Sequence, residues 1–266
     1  MRFILGIIFP ILILGWGCFW LPVNSSSIWE PPELLSIPNG EFKYQLVGEF
    51  HNEDGVAINP VQTIFLGNNI KIMKYPVNVN DYSLCVSAGE CNSVYTEGNN
   101  NMPQTGVNYF DASLYAKWVS SITNQTWRLP THEEWKRIAA ERSPTKIQIV
   151  YDDIAKNWVE KYKINITTKQ FNGNRLRPLG AYGENSLGAV DIAGAVWEWT
   201  QTCQLKGEVL NDGSSIRMMS KYCGVRLVEG QHTAFVISFV RDARGGGCSA
   251  GTPPDFLGFR LVQESH

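Results

Sequence analysis

Net charge is what this chain lacks first. Its 23 Lys and Arg against 25 Asp and Glu leave −2 over 266 residues. That balance removes the basic footprint of a nucleic-acid binder or of a protein held to an acidic membrane surface. Histidine is scarce too: His51, His132, His232 and His266 are the four, and no two stand at metal-ligand spacing. No nucleophile elbow and no phosphate loop is present, and Gly245–Gly247 is too short and misplaced for a nucleotide cradle. Nine Trp and 24 Gly point away from a helical bundle, toward an irregular, loop-rich fold packed on aromatic rings.

What is present begins at the N-terminus. Arg2 precedes an apolar run from Phe3 to Leu21, interrupted only by glycines and one proline. This reads as a charged leader and an apolar segment whose length lies between a cleaved signal and an uncleaved anchor. Residues 1–22 are therefore expected to be a signal peptide or membrane anchor, and 23–36, with Asn-Ser-Ser-Ser and Pro-Pro, a linker. The rest is expected to be exported, periplasmic or extracellular, with membrane contact only through the N-terminal segment. Trp16, beside Cys18, argues against lipidation. Export permits disulfides. Five cysteines remain after residue 22: Cys85, Cys91, Cys203, Cys223 and Cys248. Cys85 and Cys91 suit a small loop and Cys203 and Cys223 a longer one, although sequence alone does not fix connectivity, and one thiol is left over.

The chain is organised around Gly188-Ala-Val-Asp-Ile-Ala-Gly-Ala-Val-Trp-Glu-Trp-Thr200. Trp197 and Trp199 alternate with Glu198, so an extended strand sends both indoles to one face, where a core must close over them. Gly194-Ala195 reads as a tight turn. Asp191, Glu198 and the turn carbonyls are candidates to converge on a hard cation, with a solvated Glu198 as the plainer reading. Upstream, Val61–Leu66 and Ile70–Met73 flank Gly67-Asn-Asn as in a hairpin. Asn78 is placed to cap a helix bearing Val79, Tyr82 and Val86. Phe110, Leu114, Trp118 and Ile122 predict a buried helical stripe. Thr131 and Glu134 form a capping box ahead of Trp135, Ile138 and Ala139. That explains the motif structurally and leaves His132 and Glu133 without a catalytic role. Tyr151–Lys163 reads as a short amphipathic helix.

Four blocks together resemble the formylglycine-generating enzyme, or sulfatase-modifying factor, family. They are Ile37-Pro-Asn-Gly-Glu-Phe42, Arg128-Leu-Pro-Thr-His-Glu-Glu-Trp135, the block ending Val196-Trp-Glu-Trp199, and Leu257-Gly-Phe-Arg260, in the family's order. The resemblance covers about residues 37–262. It implies an irregular α+β fold, related to C-type lectins, with few short helices and strands. It also implies a calcium site at Asp191 and Glu198 by side chain and at Gly194 and Val196 by backbone carbonyl. A first calcium site falls in a loop near Asn172 and Asn174.

The family's copper(I) chemistry, which oxidises a substrate cysteine to an aldehyde, rests on two cysteines four residues apart, because copper(I) prefers soft thiolates. They precede an Arg-rich strand that Phe235–Arg244 resembles, and no such pair occurs here. Cys223 and Cys248 are the remaining catalytic candidates. The leading expectation is an exported binding or maturation-accessory module with a protein or peptide partner and no nucleic acid. The alternative is a copper-dependent oxidoreductase that converts a partner's cysteine to formylglycine. A lectin-like carbohydrate binder rests on fold analogy alone.

Overall fold

The computed structural model describes residues 29–58, 60–67, 70–96, 98–144, 159, 163, 175–212, 215–245 and 254–264. Its strands are β1 (Leu34–Ser36), β2 (Gly40–Gln45), β3 (Gly48–Asn52), β4 (Ala57–Ile58), β5 (Val61–Leu66), β6 (Ile70–Met73), β7 (Thr126–Arg128), β8 (Val196–Val209), β9 (Ile216–Glu229), β10 (Thr233–Ile237), β11 (Phe256–Gly258) and β12 (Val262–Glu264). The α-helices among the described residues are α1 (Val79–Ser87), α2 (Tyr109–Thr123) and α3 (His132–Ala139). No helix among the described residues is long and apolar enough to cross a membrane. The expected signal or anchor, residues 1–22, lies outside the described residues, as do Tyr151–Trp158 of the expected amphipathic helix.

The largest sheet runs β10-β9-β8-β3-β4, with β11 pairing in parallel to the start of β8. A four-stranded sheet runs β1-β6-β12-β7, and β2 pairs with β5 alone. β8 is the element the core closes on. Trp197 and Trp199 share one face, both fully buried, and both indole N–H groups are satisfied: Trp197 Nε1 donates to the His232 carbonyl at 3.0 Å and Trp199 Nε1 to that of Val107 at 2.9 Å. Tyr115, Trp127 and Phe259 belong to the same cluster, while Trp135, Ile138, Ile72 and Val262 build a second.

The local signals hold. Asn78 Oδ1 accepts from the Asp81 N–H at 2.7 Å. Thr131 and Glu134 form the reciprocal capping box. Cys85–Cys91 and Cys203–Cys223 are disulfides. Three expectations are corrected. Val61–Leu66 and Ile70–Met73 do not make a hairpin: β5 pairs with β2, whereas β6 lies between β1 and β12. The α2 stripe is rotated: Phe110 and Ile122 are 54% and 47% exposed, and the buried residues include Tyr115, Ala116, Trp118 and Val119. A spacing of four drifts by about 40° per step on a helix of 3.6 residues per turn, so the three steps from Phe110 to Ile122 spread the stripe over about 120° and carry its two ends out of the core. Finally, the segment read as a linker contributes β1, and Trp29 packs edge-on against Trp118 with centroids 6.3 Å apart.

Candidate functional site

The central block places its two acidic residues in different surroundings. Asp191 takes a left-handed backbone, φ 56°, at the turn before β8. Its carboxylate accepts the N–H groups of Gly180 at 2.6 Å and Tyr182 at 2.8 Å. Glu198, on the face opposite the indoles, is 1% exposed rather than solvated. Arg260 of the Leu-Gly-Phe-Arg block meets it in a fork: Nε to Oε2 and Nη2 to Oε1, each at 2.7 Å. Trp135 Nε1 donates to Oε2 at 2.8 Å. The remaining Arg260 donors reach the carbonyls of Met73, Lys74 and Val190.

These residues do not fit calcium. A hard cation bound to Glu198 would have to displace a guanidinium that already satisfies both carboxylate oxygens. Gly194 and Val196, the expected carbonyl ligands, follow Asp191 in the turn and at the first residue of β8, and the Asp191 carboxylate is already turned onto the Gly180 and Tyr182 N–H groups. Asn172 and Asn174 lie outside the described residues.

The copper expectation meets a covalent obstacle. Cys223 is joined to Cys203 across β8 and β9, so it offers no thiolate. β10, in the segment that resembles the family's Arg-rich strand, carries Thr-Ala-Phe-Val-Ile and no cysteine, and the strand ends at Ile237, well short of Arg244. Cys248 lies outside the described residues.

A second polar cluster is not legible in the sequence. The Tyr44 hydroxyl and the Nδ1 of His132 are hydrogen-bonded. His132 Nε2 meets Glu229 Oε1 at 2.5 Å, and the Thr233 hydroxyl donates to the same oxygen at 2.7 Å. Lys136 Nζ stands 3.5 Å from Glu229 Oε2. His132 and Glu229 are both fully buried. Burial alone would push the Glu229 carboxyl up, but Lys136 and His132 outweigh it and hold it at about 2. Burial, with Glu133 and Glu229 nearby, pushes the Tyr44 phenol far up, so it stays protonated as a hydrogen-bond partner. Because α3 is capped by Thr131, the next residue, His132, is aimed inward. Nothing local in the sequence announces its partners, which are 88 and 97 residues away.

Beside the Cys203–Cys223 bridge lies an exposed aromatic and cationic face. The Arg226 guanidinium stacks over the Tyr109 ring at 4.2 Å and bonds the carbonyls of Cys223 and Gln201. Asn108 Nδ2 donates to the Phe239 carbonyl at 3.2 Å, which sets the Phe239 backbone at the N-terminal cap of α2. Asp111 anchors the same corner. Burial works against its charged form, but the fork from Arg241, Asn92 and the Asn108 N–H hold its carboxyl below the usual range.

Known proteins agree with this architecture. The chain is 34% identical over 102 residues to hercynine oxygenase of Mycobacterium tuberculosis, 37% of this chain and 21% of that enzyme. It is 31% identical over 109 residues to the formylglycine-generating enzyme of the same organism, 38% of this chain and 33% of that enzyme. The matches therefore span a third or less of those enzymes' own lengths. The structure of PvdO from Pseudomonas aeruginosa superposes with a TM-score of 0.53 at 18% identity, over 88% of this chain and 95% of that one, which shows the irregular α+β fold alone. Residues 22–265 match the family described as the sulfatase-modifying factor enzyme 1-like domain, and the chain belongs to that family.

Proposed function

We propose that this chain is a binding or maturation-accessory domain that acts on a protein or peptide partner outside the cytoplasm, without a copper-thiolate centre. The observation that carries this reading is the Cys203–Cys223 disulfide. Copper(I) chemistry needs paired soft thiolates. One of the two candidate ligands is bonded to sulfur, and no cysteine stands in β10. Two disulfides are consistent with an oxidising compartment, in keeping with the Arg2-led apolar N-terminus. The curated relatives are named as an oxygenase and a formylglycine-generating enzyme, and the face around Arg226 and Tyr109 supports partner binding rather than that chemistry.

The test is thiol mapping followed by a copper(I) titration of the disulfide-intact full chain. Alkylation without reductant is expected to label Cys248 and to spare Cys85, Cys91, Cys203 and Cys223, with no tight stoichiometric copper(I) binding. One-to-one tight binding that disappears in both Cys223→Ser and Cys248→Ser would overturn the proposal and establish the oxidoreductase alternative.

A further inference from the structure

α2 leaves a groove open along one side. Tyr109, Ser113 and Lys117 follow one another at helical spacing and face Trp127, Arg128 and Gln201 across a cavity of about 300 Å³. The volume is at the lower end of what small-ligand and side-chain pockets occupy. Ser113 and Ser120 turn their hydroxyls back onto helix carbonyls, at Tyr109 and Ala116, and leave space rather than hydrogen-bonding demand.

The cations around this groove are not equivalent. Arg128 is matched by two carboxylates, Glu134 through a fork at 2.7 Å and Glu264 at 2.5 Å, so its pull on an incoming anion is cancelled. Arg226 stands at the rim through two of the groove's own residues, stacked on the Tyr109 ring and bonded to the Gln201 carbonyl. All of its bonds among the described residues go to neutral carbonyls. Lys117 is exposed and has no acidic partner among the described residues. Two cations without a carboxylate partner among the described residues therefore border the groove, Arg226 at its Tyr109 end and Lys117 about two helical turns further along α2. Beyond the Tyr109 end, Phe110, 54% exposed, meets Tyr109 edge-on with centroids 5.8 Å apart, and Phe239, 68% exposed, follows at the Asn108 cap of α2.

We infer that this groove is a docking site for an acidic peptide segment in which a carboxylate side chain adjoins an aromatic or aliphatic one. The carboxylate enters against Arg226 at the Tyr109 end, with Lys117, about 12 Å further along the helix, adding to the positive field, and the apolar neighbour lies on Phe110 and Phe239. Charge complementarity selects the acid. The exposed rings select a peptide over a free dicarboxylate, which would leave them uncovered. This rests on the binding-module reading and names the chemistry of its partner.

The experiment is calorimetric titration of the full chain with a capped peptide carrying a Phe-Glu pair, against the same peptide with Gln for Glu and against free glutarate. The Glu peptide is expected to bind about tenfold more tightly than the Gln peptide at low salt, with the gap narrowing as salt rises. Arg226→Gln is expected to remove most of that preference, and Lys117→Gln, an exposed helix substitution, a measurable part of it at low salt. Lys117→Arg is expected to keep it. Equal binding of the Glu and Gln peptides, or an unchanged preference in Arg226→Gln, overturns the inference. So does glutarate binding as tightly as the Glu peptide. Tight copper(I) binding would defeat the accessory reading whatever the peptides do, whereas absent acid preference without copper binding defeats only this assignment.

Discussion

Arg260 and Glu198 meet as a fully buried fork, two bonds of 2.7 Å between side chains no more than 1% exposed. Removing one partner strands the other as a buried charge, a loss of about 3–5 kcal/mol. Arg260→Met and Glu198→Gln are both expected to lower the denaturant midpoint by that order. The loss for Glu198→Gln is expected to be the same with added calcium and with chelator. A loss seen only with calcium present would restore calcium to Glu198 and remove the guanidinium from its role.

Glu229 makes stability depend on acid. Its carboxyl stands at about 2 in the folded chain against an ordinary value of 4.5. A carboxyl depressed by folding stabilises above its unfolded value and loses that contribution as pH falls through the folded one. The window is therefore pH 4.5 down to about 2, and the contribution is on the order of 3 kcal/mol. Urea midpoints measured across that range should fall more steeply for the native chain than for Glu229→Gln. Lys136→Met removes the largest force holding the carboxyl down, so its fall in stability should start in the same range but be smaller and end at a higher pH. Parallel curves for all three proteins would contradict this account.

What can be read in the sequence is decided over a few residues. The Asn78 cap, the Thr131–Glu134 capping box, the shared face of Trp197 and Trp199 and the Cys85–Cys91 loop each depend on neighbours within one turn or one small loop. What cannot be read depends on distant chain. Glu198 reads as solvated because Arg260, 62 positions on, is invisible to local pattern. His132 reads as a capping-helix residue because Tyr44 and Glu229 come from other strands. Val61–Leu66 and Ile70–Met73 read as a hairpin because each is a sound strand, and only the sheet decides the partner. The family resemblance carries the fold and then points to a metal at positions where this chain has arranged an ion pair and a disulfide.

The Cys203–Cys223 bridge closes a separation of 20 residues between the two longest strands. Chain-entropy arguments give such a loop about 3 kcal/mol of stabilisation. Cys203→Ala with Cys223→Ala is expected to lower the thermal midpoint by several degrees and to keep the fold, because β8 and β9 remain paired along the rest of their length. Circular dichroism melts compare the two proteins. An unchanged midpoint would show that the strand pairing alone sets the stability of this hairpin.

Gly230 gives the sharpest steric test. A Cβ there would come within 2.7 Å of the Trp197 ring. That ring cannot yield easily: it is fully buried, and its N–H is tied to the His232 carbonyl two residues past Gly230. Gly230→Ala is therefore expected to cost about 1–3 kcal/mol by overpacking. Gly224, within β9, has open space where its Cβ would sit, so Gly224→Ala is expected to be nearly neutral. Equal denaturant midpoints for the two variants would mean that the turn between β9 and β10 relaxes away from Trp197, and that the indole is not the fixed wall against which this end of the sheet is built.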